Sequence, residues 1–203
     1  MSHRAVRFLL AVLTVAPVGL GGQNRAALCF RPRPLPACHM FVITEALYFH
    51  RLAPGEVPDS FGDAGATFMR HNLQAETGVL RNLNARYAVG LTVAGGYDWG
   101  FESTRLALKV RARRWIGQHS SVEIAAGPAW TSNVGRVADG LGAALQGRLN
   151  LDDQVSFAVA ADFLPEPGRG PLVYVGGGLG SRYGRFAWAA GALTGLLAIV
   201  FKR

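Results

Sequence analysis

Charged side chains at every second position of otherwise apolar stretches are the main chemistry this chain offers. Lys109, Arg111 and Arg113 alternate with Leu108, Val110 and Ala112. Glu123 lies between Val122 and Ile124, Arg148 precedes Leu149, and Asp162 precedes Phe163, while Arg70 and Glu76 share a face with Asn72 and Gln74. Groups of both signs on one face point to ion pairing inside a narrow structure, because an unpaired buried charge is expensive. The competing reading is a solvated outer face.

The chain has no serine nucleophile elbow, HExxH, phosphate-binding loop or EF-hand loop. His119, Ser120 and Ser121 beside Glu123 have the residue types of a hydrolase, but they fall at a predicted tight turn. Gly176, Gly177, Gly178 and Gly180 lack both GxGxxG spacing and a βαβ context, so they read as close strand packing. Arg111, Arg113, Arg114 and Trp115 suggest lumen pairing or an interfacial anchor rather than a nucleic-acid surface. The two cysteines and five histidines show no metal-ligand spacing. No catalytic, metal or cofactor-binding residue is therefore expected, and the protein is read as non-enzymatic.

The elements that must carry the charges show a period of two. In 86–99, Tyr87, Val89, Leu91, Val93 and Tyr97 oppose Ala88, Gly90, Thr92 and Ala94, as a half-buried strand requires. The pattern recurs in 68–80, 106–113, 121–130, 141–150 and 155–163. Two segments alternate poorly: 39–51, where Glu45 shares a face with Ile43 and Leu47, and the glycine-rich 171–181. Together they make about eight strands. Tight turns are predicted at Asn82-Leu83-Asn84, Gly117-Gln118 and Leu151-Asp152-Asp153, with longer connections near 52–65, 98–103, 131–139 and 165–170. This predicts an all-β, up-and-down antiparallel barrel, in which an even strand number removes exposed edges.

Composition and the chain ends supply a compartment. The 203 residues are 50% hydrophobic and 17% charged, with 26 glycines. An ordinary soluble domain carries about 25% charged residues. Arg4 and Arg7 precede an uncharged run from Phe8 to Leu20, followed by Gly21 and Gly22, which reads as a signal peptide over 1–22. Export makes nucleic acid an improbable partner despite a net charge of +8. Residues 23–38 form a proline-rich lead in which Cys29 and Cys38 suit a disulfide in an oxidising compartment. Lipidation of Cys38 is the alternative. The barrel spans 39–181, and 182–203 is a C-terminal segment whose apolar run 186–201 is read as an appended helix, with a closing strand as the alternative.

Alternation alone leaves the sidedness open. An apolar face turned inward makes a soluble, lipocalin-like barrel that binds an apolar ligand; turned outward, it makes a membrane barrel. The second is favoured by the Ala- and Gly-rich opposite faces, by Tyr87, Tyr97, Trp130 and Phe163 at strand ends, and by the mixed charges. With these features the chain resembles the small eight-stranded outer-membrane β-barrels of the OmpA and OmpX kind, over residues 39–181. The resemblance implies a monomer in the cell outer membrane, in contact with lipid and inserted by the barrel-assembly machinery. The chain departs from it at the end, where Lys202 and Arg203 follow Phe201. The expected long loops carry Glu56, Asp59, Asp63, Asp98, Glu102, Asp139 and Glu166 against Arg136 and Arg169. Acidic loops of this kind suit ordinary solvation, or capture of divalent cations or basic partners. The expected role is envelope structure or surface interaction around a filled polar lumen.

Overall fold

The computed structural model describes residues 28–53, 71–98, 103–133, 140–163 and 171–183. The expected signal peptide, the run 186–201, Arg70 and every named loop acid except Asp98 lie outside these residues.

Nine strands form one sheet in sequence order. A short β1 (Leu28–Cys29) runs parallel to the start of β2 (Met40–Ala53). The up-and-down meander continues through β3 (His71–Asn82), β4 (Tyr87–Asp98), β5 (Ser103–Trp115), β6 (Ser121–Asn133), β7 (Gly140–Leu151), β8 (Val155–Phe163) and β9 (Leu172–Leu179). Antiparallel pairing of β9 with β2, from Ala46–Leu179 to Ala53–Val173, closes β2 to β9 into an eight-stranded barrel. Among the described residues β9 closes the barrel; whether 186–201 is helix or strand is a reading that lies outside them.

Local chemistry fixes the tight turns. Asn84 Oδ1 accepts hydrogen bonds from the backbone N–H groups of Arg86 (2.8 Å) and Tyr87 (2.9 Å), an Asx-type turn between β3 and β4. Between β7 and β8, Asp152 and Asp153 have φ of 51° and 57°, and Gln154 N–H reaches Leu151 O at 3.0 Å. Two successive positive φ values make a type I′ turn, whose twist matches that of the flanking strands. The connection between β4 and β5 differs from expectation. Both strands extend to Asp98 and Ser103, leaving a link as long as that between β3 and β4 at the other end.

The faces divide as a membrane barrel requires. Leu91 and Val110 are each 56% exposed, whereas Lys109 and Arg111 are at most 1% exposed. The soluble-barrel alternative needs the reverse. The apolar exterior continues through Leu106, Leu108, Val122, Ile124, Leu145, Phe157 and Val159, with Tyr87, Tyr97, Trp130 and Phe163 outward near the strand ends. Strands of ~9 to 11 residues suffice to cross a bilayer, and the barrel strands β2 to β9 have 8 to 14.

The two poorly alternating segments are the strands of the closing seam, β2 and β9. Strand β2 turns Phe41, Ile43, Leu47 and Phe49 into the lumen beside Glu45, and β9 contributes Leu172 and Tyr174. Apolar residues on the lumen face erase the contrast that marks the other strands. The glycine cluster serves close approach across this seam: an added Cβ would stand 2.1 Å from the Tyr48 carbonyl oxygen at Gly176 and 2.0 Å from the Ala46 oxygen at Gly178.

Two outcomes are expected. Leu91→Arg or Val110→Arg places a cation in lipid near mid-depth and should destabilise the inserted barrel by about 2 to 4 kcal/mol, read as a lower folded fraction in urea titrations in vesicles. Gly178→Val should block closure and abolish the heat-modifiable gel band, whereas Gly95→Val, whose Cβ meets nothing within 4 Å, should keep it; equal behaviour of the two valine variants would refute the seam argument.

Candidate functional site

The side chains that sequence spacing singled out converge in the barrel interior. Strand β5 contributes Lys109, Arg111 and Arg113, β7 contributes Arg148, and β2, β3 and β6 contribute Glu45, Glu76 and Glu123. Glu45 and Glu76 are direct cross-strand partners, a pairing that is unfavourable for like charges left alone. Here cations from the opposite wall neutralise them. Arg111 pairs with Glu45 at 2.8 Å, Glu76 at 2.6 Å and Glu123 at 2.9 Å, bridging three strands. Lys109 reaches Glu76 at 2.9 Å and also bonds Gln146, while Arg148 pairs with both Glu76, at 2.9 Å, and Glu45. Arg113 pairs with its register neighbour Glu123, and Thr92 Oγ1 donates to Glu76 at 2.6 Å. Each carboxylate thus meets several donors, the condition under which Coulombic attraction offsets the desolvation of buried ions.

Apolar layers enclose this charged layer. Toward the short turns lie Cys38, Phe41, Ile43, Leu80, Ala88 and Trp115; toward the other end lie Leu47, Phe49, Ala158, Ala160, Leu172 and Tyr174. The Arg113 guanidinium sits 5.0 Å from the Phe41 ring centre and 4.9 Å from that of Trp115, joining the ionic layer to the apolar one by cation–π contact. Burial of these side chains lowers the local dielectric and strengthens the pairs between the layers.

The lead between β1 and β2 lies against the short-turn mouth. Cys29 and Cys38 are disulfide-bonded, so lipidation of Cys38 is excluded in this form. Asn82 Nδ2 donates to the carbonyls of Arg33 (2.7 Å) and Cys38 (2.8 Å), and its Oδ1 accepts from Trp115 Nε1 at 2.8 Å. Pro32 is buried, with its carbonyl 3.4 Å from His119 Nδ1. In the adjacent turn, burial pushes the Asp153 carboxyl up to about 6, against the opposing pull of Arg113, the Ser181 backbone and Arg31.

At the long-loop end, Asp98 is not the solvated loop acid expected from the sequence. It is 3% exposed at the inward end of β4, 3.7 Å from Arg51 and 3.4 Å from the Tyr174 hydroxyl, which donates to it. Arg105 bonds Gln74 at 2.7 Å and pairs with Asp162. Beside them, a cavity lined by residues including Phe49, Asn72 and Tyr174 gives the centre of a water-sized molecule about 10 Å³, room for a single water.

The structure does not assemble the hydrolase types. His119 faces the lead, Ser120 Oγ accepts the Asp152 N–H at 3.0 Å, and Ser121 Oγ donates at 3.0 Å to Glu123, itself held by Arg111 and Arg113. Of the basic run, Arg111, Arg113 and Trp115 are interior and Arg114 is exposed. Among the described residues, no group of three or more His, Cys, Asp or Glu is placed to hold a metal ion. Sequence reasoning overlooked Arg51 and Arg105, and it did not assign Glu45 to the interior. Arg105 had a readable signal, since it shares parity with Lys109 and Arg111.

No protein-family model and no curated protein sequence matches the chain. Among solved structures, it is similar to a de novo designed transmembrane β-barrel, at 8% identity and a TM-score of 0.37 over 68% of this chain and 92% of that one. It is also similar to the outer membrane protein Ail of Yersinia pestis. In a phospholipid nanodisc, Ail aligns at 9% identity and a TM-score of 0.38 over 68% of this chain and 97% of that one. In complex with the heparin analogue sucrose octasulfate, it aligns at 8% identity and a TM-score of 0.37 over 70% and 97%. The strand pairing and the burial of the faces establish, on their own, a closed eight-stranded antiparallel barrel of the outer-membrane type, with apolar side chains outward and paired charges inside.

Proposed function

We propose that this protein is a non-enzymatic, monomeric barrel of the cell outer membrane, inserted by the barrel-assembly machinery, with a role in envelope structure or surface interaction rather than transport. The observation that carries this reading is the cross-lumen ion network. Lys109, Arg111 and Arg148 reach from one wall to Glu45 and Glu76 on the other, which supports a filled lumen. The disulfide-closed lead supports it by covering the short-turn mouth. Residues 1–22 act as the export signal in this reading, and 182–203 form an appended segment.

Purified full-length barrel in planar lipid should show no steady ion conductance; a stable open channel would reject the filled lumen. Glu76→Gln removes the carboxylate shared by Lys109, Arg111 and Arg148. It should destabilise the barrel by about 3 to 5 kcal/mol, measured by reversible urea unfolding in vesicles, and a change below 1 kcal/mol would mean that the network carries little of the stability.

A further inference from the structure

Strand positions facing outward carry only two charged residues among those described, Arg81 and Arg114. They are not scattered. Arg81 is the penultimate residue of β3 and Arg114 that of β5, and both lie at the short-turn end, flanking the start of β4. Tyr87, at that start, is the direct cross-strand partner of Arg114 and is 46% exposed. Arg86 precedes it in the turn, its backbone fixed by the Asn84 side chain at 2.8 Å. All three arginines are exposed and form no ion pair with another described residue. Just above them the wall is apolar, with Val79, Val89 and Val110 outward. On the opposite wall at the same end, Leu151, Val155 and Leu179 are outward with no charge among them.

We propose that Arg81, Arg86, Arg114 and Tyr87 form a site for the headgroup of an anionic phospholipid in the leaflet at the short-turn end, which is the periplasmic end of such a barrel. The proposal rests on the membrane reading above and adds a headgroup specificity to it. Guanidinium groups bind phosphate oxygens in bidentate fashion, and basic clusters at a membrane surface attract anionic lipid. Tyr87 suits the boundary, with an apolar ring and a polar hydroxyl. The acyl chains lie along the valines above. A free phosphate ion would gain the charge contacts but not this apolar wall.

The test uses folded full-length protein in nonionic detergent, titrated with short-chain phosphatidylglycerol, with phosphatidylcholine of the same chains, and with inorganic phosphate, retained ligand being counted by native mass spectrometry. Phosphatidylglycerol should bind about tenfold more tightly than phosphatidylcholine. The triple variant Arg81→Gln, Arg86→Gln, Arg114→Gln should lose that preference, while Arg33→Gln with Arg182→Gln, at the same end but outside the patch, should keep it. Should the triple variant fail to fold, Arg86→Gln alone, in the turn, should lower the preference about threefold. Equal binding of both lipids, an undiminished preference in the patch variants, or displacement of the lipid by inorganic phosphate at equal concentration would overturn the site. Protein that is soluble and folded without detergent would instead overturn the membrane reading itself.

Discussion

A backbone N–H or C=O left unpaired in lipid costs several kcal/mol, and the barrel meets that constraint by joining β9 to β2. Everything else follows from this closure. Eight strands make a narrow cylinder, so interior side chains must fill it and exterior ones must suit hydrocarbon. The seam demands the tightest fit, and the glycines of β9 supply it where a Cβ would collide with the carbonyls of β2. A substitution there acts on the topology as a whole, because a barrel that fails to close exposes two strand edges at once.

The interior shows how a narrow cylinder tolerates charge. The largest group of buried charges forms a middle layer, with apolar clusters from β2, β8 and β9 on one side and from the lead and β2 to β5 on the other. Adjacent carboxylates Glu45 and Glu76 would repel each other on a flat sheet. Curvature places them opposite β5 and β7, within reach of four cations, Lys109, Arg111, Arg113 and Arg148. Such a layer favours one closed arrangement of the walls, since any slip in register separates several pairs together. The exterior is the converse: among the described residues, outward strand positions carry only two charges, Arg81 and Arg114, on one wall and at one end.

Much of this was legible in the residues. Six strands were readable because their alternation contrasts Leu, Val and Ile with Ala, Thr and charged groups, and Lys109, Arg111, Glu123 and Arg148 lie on the inner face that parity gave them. The seam strands were harder to read because β2 faces inward with both Phe41 and Glu45, so hydropathy did not follow the face. Asp98 looked like a loop acid because it falls where the alternating segment 86–99 overlaps the expected connection 98–103, and only the fold turns it toward Arg51 and Tyr174.

The sequence by itself determined a period of two, tight turns at Asn82-Leu83-Asn84 and Leu151-Asp152-Asp153, and a division into apolar and small-or-charged faces, because these depend on residues adjacent in the chain. Only the tertiary structure decided which face looks outward, that Cys29 joins Cys38, and which charges meet. Arg111 and Glu45 are 66 positions apart, and no local pattern encodes a contact across a lumen. That contact exists because closing the sheet brings one wall to face the other.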